Sequence, residues 1–210
     1  MTRRQLRSIN WFIAAAAVLV TSILIAVLIL RDHPIRLLDH MPIRNNDIVL
    51  FGDSHFEYFE AAEMFNDRRI RNRGIGGETA ADMLERVDDV TRGQPLKVLL
   101  LAGANDAFQG RTLAEYLADM RALIEQIRMR SRSLIVLSIP PCRDQDIQSR
   151  IDGFNKALRE LCEQRHIDHI DLDPVLKKDG LLDPELTTDG VHLHVEGYQR
   201  IVPLLKPGLQ

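Results

Sequence analysis

Residues 48–56 read Ile-Val-Leu-Phe-Gly-Asp-Ser-His-Phe, an apolar run that passes directly into a polar turn. Four apolar residues without alternation predict a short strand covered on both faces, as in a parallel sheet. Gly52 allows a sharp bend, and the turn that follows is centred on Ser54. Because a small nucleophile at the carboxyl end of a strand is a common catalytic arrangement, Ser54 is a candidate nucleophile. Gly-Asp-Ser is also ordinary in solvated loops, so the assignment depends on other segments.

From Asp47 onward, apolar runs that predict strands alternate with segments of helical periodicity. Strands are expected at Ile48–Phe51, Ile70–Arg73, Leu96–Ala102, Leu134–Ile139 and Ile167–Leu172. Helices are expected from about Thr79, from a capping box of Thr112 and Glu115, across Ile147–Leu161, after a cap at Asp173, and at Val195–Leu205. This alternation predicts an α/β fold with a five-stranded parallel sheet, covered on both faces by right-handed crossovers.

The N-terminal region carries a long apolar segment. Residues 11–30 contain no charged side chain, and a helix of that length can cross the hydrocarbon core of a bilayer. Arginines precede it within residues 1–10, which predicts a cytoplasmic N-terminus and an extracytoplasmic remainder. The segment lacks a small-residue cleavage site and is interpreted as an uncleaved transmembrane signal anchor. Residues 31–46 are interpreted as a connector, and residues 47–210 as the catalytic domain.

Composition limits the classes of function. The 210 residues are 45% hydrophobic and 27% charged, with a formal net charge of −3, which is typical of one globular core. The chain offers neither a basic field nor, with 5% aromatic residues, a stacking platform, so nucleic-acid binding is set aside. Cys142 and Cys162 are too few for a disulfide scaffold and lack the spacing of a redox or zinc motif. The sequence leaves open whether they pair.

Three further segments could act with the serine. The Gly-Ile-Gly-Gly run at residues 74–77 follows the second strand and could present bare backbone N–H groups to a developing negative charge. After the third strand, the side-chain amide of Asn105 could supply another such donor. Near the C-terminus, Asp189 precedes His192 by three residues, and this carboxylate could orient the imidazole as a base for Ser54.

Two of these segments have alternative interpretations. A glycine-rich turn between a strand and a helix is also found in dinucleotide sites, but residues 74–77 lack the third glycine of that fingerprint. His192, His194 and Asp189 could ligate a metal ion, although His-x-His with one carboxylate is unspecific.

Four blocks together resemble those of the SGNH, or GDSL-type, ester hydrolases: Gly52-Asp53-Ser54, Asn72 to Gly77, Gly103-x-Asn105-Asp106, and Asp189-x-x-His192. They occur in the order of that family and cover the chain from about residue 47 to its end. Each block is weak alone, and the four in order are specific. The resemblance implies a three-layer α/β/α sandwich of flavodoxin-like fold.

The resemblance also implies roles for five residues. Ser54 would be the nucleophile, His192 the general base and then acid, and Asp189 its orienting carboxylate. Gly77, Asn105 and the backbone N–H of Ser54 would form the oxyanion hole. No metal or organic cofactor is required. The implied activity is hydrolysis of lipid or glycan acyl esters, including O-acetyl and lysophospholipid-like esters. The predicted signal anchor would place this activity outside the cytoplasmic membrane.

One residue departs from the family pattern, because His55 stands where an aliphatic residue is usual. A similar Gly-Asp-Ser-His occurs in family members linked to membrane machinery that handles O-acyl groups on bacterial glycans, which suggests an acylated saccharide as substrate. His55 could contact substrate or only fill space. Two alternative functions stay open: an O-acyl transferase acting on cell-envelope glycans, and a catalytically silent, membrane-tethered binding module.

Overall fold

The computed structural model describes residues 39–209 and, upstream of them, Thr21. The predicted anchor at residues 11–30, Thr21 apart, and residues 31–38 of the connector lie outside the described residues. Within the part that is described, no helix is both long and apolar enough to span a membrane. The fold presented below is that of the compact unit that begins at Pro42.

A five-stranded, wholly parallel sheet forms the centre of this unit and confirms the sheet that the sequence predicts. Its strands are β1 (Ile48–Gly52), β2 (Ile70–Gly74), β3 (Lys97–Leu101), β4 (Leu134–Leu137) and β5 (Asp168–Ile170). They lie in the order β2-β1-β3-β4-β5, which is the flavodoxin-like order. β1 therefore lies between β2 and β3, and the loops that follow these three strands meet at one edge of the sheet.

Helices cover both faces of the sheet. They are α1 (Ser54–Glu57), α2 (Ala61–Met64), α3 (Ala80–Glu85), α4 (Val87–Thr91), α5 (Ala104–Phe108), α6 (Leu113–Arg130), α7 (Gln145–Arg165), α8 (Asp173–Leu176) and α9 (Val195–Leu205). Short 3-10 helices occur at Pro184–Leu186 and Lys206–Leu209, and a small hairpin pairs β6 (Lys177–Lys178) with β7 (Leu181–Leu182).

Alternate strand residues point into different layers, as a period of two requires. Val49, Phe51 and Leu100 belong to a buried cluster with apolar residues of α3, α4, α6 and α7. On the other face, Leu101 and Leu137 line a small cavity together with residues of α1 and α9. Two separate apolar layers therefore enclose the sheet, and the predicted α/β sandwich is confirmed.

Local sequence signals account for several helix ends. In the predicted capping box of α6, the Glu115 N–H donates to Thr112 Oγ1 at 3.3 Å, and the Thr112 N–H donates to Glu115 Oε2 at 2.8 Å. α7 begins after Asp144, whose Oδ1 accepts the N–H groups of Asp146 and Ile147, each at 3.0 Å. These caps fix the two longest helices that pack on the sheet.

Three local predictions are corrected, and one element was not predicted. The helix expected from about Thr79 is two short helices, α3 and α4, interrupted at Arg86. The cap of α8 is Leu172 and not Asp173, which is instead the first helical residue. The turn centred on Ser54 is the helix α1, and the β6–β7 hairpin was not expected. These are all segments of six residues or fewer, for which hydrophobic periodicity is a poor guide.

The two cysteines are both free and both buried. Cys142 lies after β4, where its Sγ is 3.4 Å from the backbone oxygen of Asp144, and Cys162 lies in α7. Neither forms a disulfide, so the unit is held together by its apolar layers.

Candidate active site

Ser54 lies directly after β1, as the first residue of α1, and its neighbour shapes the turn. Asp53 is the N-cap of α1, and its Oδ1 accepts the His55 N–H at 2.9 Å. Aspartate is among the preferred N-cap residues because its side chain can satisfy an N–H that the helix leaves unpaired. The sequence Gly-Asp-Ser thus ends the strand, caps the helix and places the serine at the carboxyl edge of the sheet.

The structure brings together three of the predicted site residues. Ser54 Oγ lies 2.9 Å from His192 Nε2, although the two residues are 138 positions apart. On the other side of the ring, His192 Nδ1 lies 2.6 Å from Asp189 Oδ2. Each ring nitrogen thus has one polar partner, and this series of hydroxyl, imidazole and carboxylate can activate a nucleophile.

The backbone of its own loop supports Asp189. Its Oδ1 accepts the N–H of Val191 at 2.9 Å and the N–H of His192 at 2.8 Å, while the Thr187 hydroxyl lies at 3.2 Å. Burial acts to raise the pKa of Asp189, but the hydrogen bonds from the His192 ring and from these N–H groups outweigh it and hold the pKa well below its usual range. The carboxylate therefore stays ionised and fixes the orientation of the imidazole.

The predicted oxyanion donors lie on loops that converge on the serine. A Cβ added to Gly76 would lie 3.6 Å from Ser54 Cβ, so the loop after β2 passes directly beside Ser54. Gly77 adopts a φ of 83°, in the left-handed region that glycine favours. Among residues 39–209, no backbone hydrogen bond outside the helices and strands uses the N–H of Ser54 or of Gly77. Both groups are thus available as donors.

Asn105 reaches the same loop from the other side. Its Nδ2 donates to the backbone oxygen of Glu78 at 2.8 Å, which links α5 to the residue that follows Gly77. An amide nitrogen carries two N–H groups, so one donor fixes the side chain and a second can serve a ligand. Asp106 strengthens this link, because its buried Oδ2 accepts the Ala80 N–H at 2.9 Å.

His55 is buried beside the series formed by Ser54, His192 and Asp189. Only 3% of the residue is exposed, and its ring centroid lies 5.8 Å from that of His192. Burial, assisted by the neighbouring His192, lowers the pKa of His55 to about 3, so the imidazole is neutral. Its Nδ1 finds no hydrogen-bond partner in the described part of the chain. Of the two roles left open by the sequence, its burial favours packing over contact with substrate.

Asp53 is also buried, and only one of its oxygens is paired. Burial raises the pKa of Asp53 to about 7, against the opposing effect of the hydrogen bond from the His55 N–H. Its Oδ2 has no partner within residues 39–209. The pKa values of the two neighbours of Ser54 are therefore shifted in opposite directions. Below about pH 7 the Asp53 carboxyl keeps its proton, and above about pH 3 the His55 imidazole is neutral.

Tyr58 is a site residue that the sequence did not reveal. Its ring packs edge-on against that of His192, with centroids 5.2 Å apart and planes at 70°, and 53% of the residue is exposed. It follows Ser54 by four positions, so the turn of α1 places both on one side. Recognising α1 as helical would have identified it, but a four-residue helix carries no periodic signal.

Asn72, in the second sequence block, holds α1 in place. Its Nδ2 donates to the backbone oxygens of Phe56 and, at 3.0 Å, of Phe59, while its Oδ1 accepts the Gly74 N–H at 2.9 Å. The end of β2 is thereby fastened to the helix that carries the serine.

The alternative metal interpretation finds no support in the arrangement of side chains. Among the described residues, no group of three or more His, Cys, Asp or Glu side chains is arranged to hold a metal ion. His194 Nδ1 lies 2.8 Å from Glu196 Oε2.

Comparison with known proteins agrees with this geometry. The model of the GDSL-like lipase/acylhydrolase family matches residues 52–200. The chain belongs to this family of ester hydrolases. The family match begins at the end of β1 and includes Ser54, Gly77, Asn105, Asp189 and His192.

Solved structures share the fold of this GDSL-like chain. A protein from Streptococcus pneumonia, provisionally assigned as a platelet activating factor, is 28% identical with a TM-score of 0.74, covering 94% of this chain and 99% of that one. The acetylxylan esterase Axe2 from Geobacillus stearothermophilus is 21% identical with a TM-score of 0.64, covering 80% and 96% of the two chains. The second likeness concerns the fold alone.

A curated relative has a different overall size. An N-acylneuraminate cytidylyltransferase from Streptococcus agalactiae is 29% identical over 130 residues, which is 60% of this chain and 31% of the relative. This GDSL-like chain thus spans about a third of the length of the curated relatives that it first matches.

Proposed function

We propose that the chain is a serine-dependent carboxylic ester hydrolase that works through an acyl-enzyme on Ser54. The observation that carries the proposal is the continuous series from Ser54 Oγ through His192 to Asp189, with contacts of 2.9 and 2.6 Å. Membership of a family of ester hydrolases supports it. The buried N-terminus of α1, capped by Asp53, holds the hydroxyl at the carboxyl ends of the strands, where an ester carbonyl can approach.

In the first step, Ser54 Oγ attacks the ester carbonyl while His192 Nε2 takes its proton. The ionised Asp189 stabilises the imidazolium that forms. Negative charge on the carbonyl oxygen is stabilised by the N–H groups of Ser54 and Gly77 and by the amide of Asn105. His192 then gives its proton to the departing alcohol, which leaves an acyl-serine.

In the second step, water attacks the acyl-serine. His192 accepts a proton from the water, the same donors stabilise the second oxyanion, and the acid leaves as Ser54 recovers its proton. The proposed cycle uses only side chains and backbone of this chain.

The proposed substrates are acyl or O-acetyl esters of a lipid or glycan alcohol. We place the catalytic unit outside the cytoplasmic membrane, held there by residues 11–30 as a single-pass anchor. Support for this location comes from the apolar character of that segment and from the arginines that precede it. A series of acetyl, butyryl and longer acyl esters, together with a lysophospholipid, would define the preferred acyl group.

Replacing the nucleophile tests the mechanism. We expect Ser54→Ala to lower kcat for a soluble ester by roughly a thousandfold or more, because the covalent step is lost. Labelling by a serine-directed fluorophosphonate should disappear as well. Ser133→Ala is the matched control. This serine directly precedes β4 and lies at the amino-terminal end of that strand, whereas Ser54 follows the carboxyl end of β1, so both hydrolysis and labelling should persist. Hydrolysis by Ser54→Ala at the wild-type rate would refute the acyl-enzyme mechanism.

A further inference from the structure

An ion pair lies beside the predicted oxyanion donors but outside the catalytic series. Arg86 Nε lies 2.7 Å from Glu78 Oε1 and 2.8 Å from Oε2, and Arg86 Nη2 also contacts Oε2. The two side chains are only 16% and 15% exposed, so solvent screens this pair less than an ordinary surface pair. Glu78 is the residue directly after Gly77, and the pair is therefore attached to the loop beside Ser54.

The same guanidinium also joins the two strands that lead into the site. Arg86 Nη2 donates to the backbone oxygen of Arg73 in β2 at 2.9 Å and, more weakly, to that of Gly52 in β1 at 3.4 Å. Its Cζ lies 4.8 Å from the centroid of the Phe51 ring, within the range of a cation–π contact. The break between α3 and α4 occurs at Arg86, so the backbone turns at the point from which this side chain reaches back.

The loop at Gly77 is open where a side chain would project. Apart from Gly77 and its two chain neighbours, no atom of the described residues lies within 4 Å of the position that a Cβ of Gly77 would occupy, so packing at that position does not hold the loop. Polar contacts secure the loop on each side instead. Before Gly77, the Gly76 N–H donates to Glu57 Oε2 at 2.9 Å. After it, Glu78 is held through its carboxylate by Arg86 and through its backbone oxygen by Asn105, at 2.8 Å.

We propose that Arg86 is a positioning residue that, through Glu78, aligns Gly77 and Asn105 for the oxyanion. This inference rests on the proposed function, because it assigns those two residues as donors. Arg86 itself touches neither Ser54 nor His192 among the contacts described. Arg86 fixes the placement of the two donors relative to each other. Such placement stabilises the oxyanion in the transition state more than it stabilises the bound substrate.

The experiment measures kcat and KM of the full-length chain in mild detergent with a short soluble ester, together with the rate of fluorophosphonate labelling. For Arg86→Gln we expect kcat to fall about tenfold or more while KM changes by less than about threefold, because only stabilisation of the transition state is weakened. Labelling should slow in parallel, since phosphonylation of the serine also places a negative oxygen between the same donors. Arg86→Lys, which keeps the charge but not the paired geometry, should recover part of the loss.

A matched control separates this effect from the loss of any arginine ion pair. Arg69 contacts Asp67 through two N–H groups in a similar arrangement, but its side chain is 44% exposed. The pair precedes β2 and so lies at the amino-terminal end of that strand, away from the loop that holds Gly77. Arg69→Gln should leave kcat and labelling within about twofold of wild type, as expected for an exposed pair.

Further variants keep the proposal testable if Arg86→Gln does not fold. Glu78→Gln removes the charge of the pair and keeps the backbone oxygen that accepts from Asn105, so it should reduce kcat in the same selective way. The double variant should be no worse than either single variant, because the two side chains act as one unit. A kcat within about twofold of wild type in folded Arg86→Gln, or in folded Glu78→Gln, would overturn the positioning role. Those results would leave the proposed function intact, whereas that function fails if Ser54→Ala is active or the wild type hydrolyses no ester.

Discussion

Asp53 and His55, on either side of Ser54, carry titrating groups that act on stability in opposite directions. The folded pKa of Asp53 is about 7 and its ordinary value is 3.8, so between about pH 4 and 7 the folded protein holds a proton that the unfolded chain has released. The free energy of unfolding therefore falls as pH rises through that range. For His55 the folded pKa is about 3 and the ordinary value 6.5, so from about pH 3 to 6.5 the unfolded chain binds the extra proton. Its contribution makes the free energy of unfolding rise with pH.

We therefore expect His55→Leu and Asp53→Asn to change the pH dependence of the free energy of unfolding in opposite directions between pH 4 and 6.5. His55→Leu leaves only the Asp53 contribution, so its free energy of unfolding should fall with pH relative to wild type. Asp53→Asn leaves only the His55 contribution and should show a relative rise. Each difference is at most about 1.4 kcal/mol per pH unit, the value for one proton. Urea unfolding at several pH values measures it, and curves parallel to wild type would contradict the assignment.

Single residues could be identified from sequence only where chemistry requires a residue type at a particular spacing. Ser54, Asp189 and His192 were found in this way, and the structure places them in contact. Arg86 was missed because its partners come from three segments, and no local pattern marks a side chain that bridges them. Tyr58 was missed because its relation to Ser54 exists only once α1 is known to be a helix.

At the scale of elements, the position of Ser54 depends on how closely the end of β2 approaches α1. A Cβ on Gly74 would lie 2.2 Å from the Glu57 nitrogen, 2.6 Å from the Phe56 carbonyl carbon and 2.8 Å from the Asp53 oxygen, all of which are backbone atoms. Backbone cannot rotate away as a flexible side chain can. The end of β2 can therefore sit against the helix that carries Ser54 only if position 74 has no side chain.

This contact predicts that Gly74→Ala displaces α1 and lowers both stability and activity. We expect a loss of roughly 1–3 kcal/mol in the free energy of unfolding, typical of overpacking, and a larger proportional loss of kcat because Ser54 moves relative to His192. Chemical denaturation and ester hydrolysis measure the two effects.

The control is Gly153→Ala in the middle of α7, where, the neighbouring backbone of α7 apart, no atom of the described residues lies within 4 Å of the added Cβ. That change should be neutral or stabilise the protein by about 0.5–1 kcal/mol, since alanine is the better helix former. If Gly74→Ala behaved like Gly153→Ala, the close approach of β2 to α1 would not matter for the site.

Strands were more predictable than short helices for a physical reason. β1, β3 and β4 are apolar or largely apolar runs that are almost wholly buried, and this leaves a clear signal in sequence. α6 and α7 are long enough to show periodicity. By contrast, α1, the break at Arg86 and the β6–β7 hairpin depend on contacts with segments distant in sequence. The sheet could therefore be predicted, while the supports of the site could not.

At the scale of the whole molecule, the proposed location can be tested with the protein's own cysteine content. Cys142 and Cys162 are buried, so a thiol introduced on the surface should dominate labelling by a membrane-impermeant maleimide. Met129 in α6 is 67% exposed and lies far from Ser54 in sequence. In intact cells whose outer barrier admits the reagent, we expect Met129→Cys to be labelled, because residues 31 onward are proposed to lie outside the cytoplasmic membrane.

The matching variant is Gln5→Cys, in the segment proposed to be cytoplasmic. It should be protected in intact cells and labelled after the membrane is permeabilised. The opposite pattern would reverse the proposed orientation, and labelling of neither thiol before permeabilisation would place both segments inside.

The separation of 138 positions between Ser54 and His192 has a consequence for biosynthesis. Contacts between such distant residues form only when nearly all of the chain has been synthesised and has collapsed onto the sheet. The Tyr198 hydroxyl, which donates to the His55 backbone oxygen at 2.8 Å, joins the same two ends. In a partly made or still unfolded chain, Ser54 is thus not yet in contact with His192, its proposed base. For a hydrolase that we propose is exported, this delays the onset of activity until folding is complete beyond the membrane, and the esters of the producing cell's interior are spared.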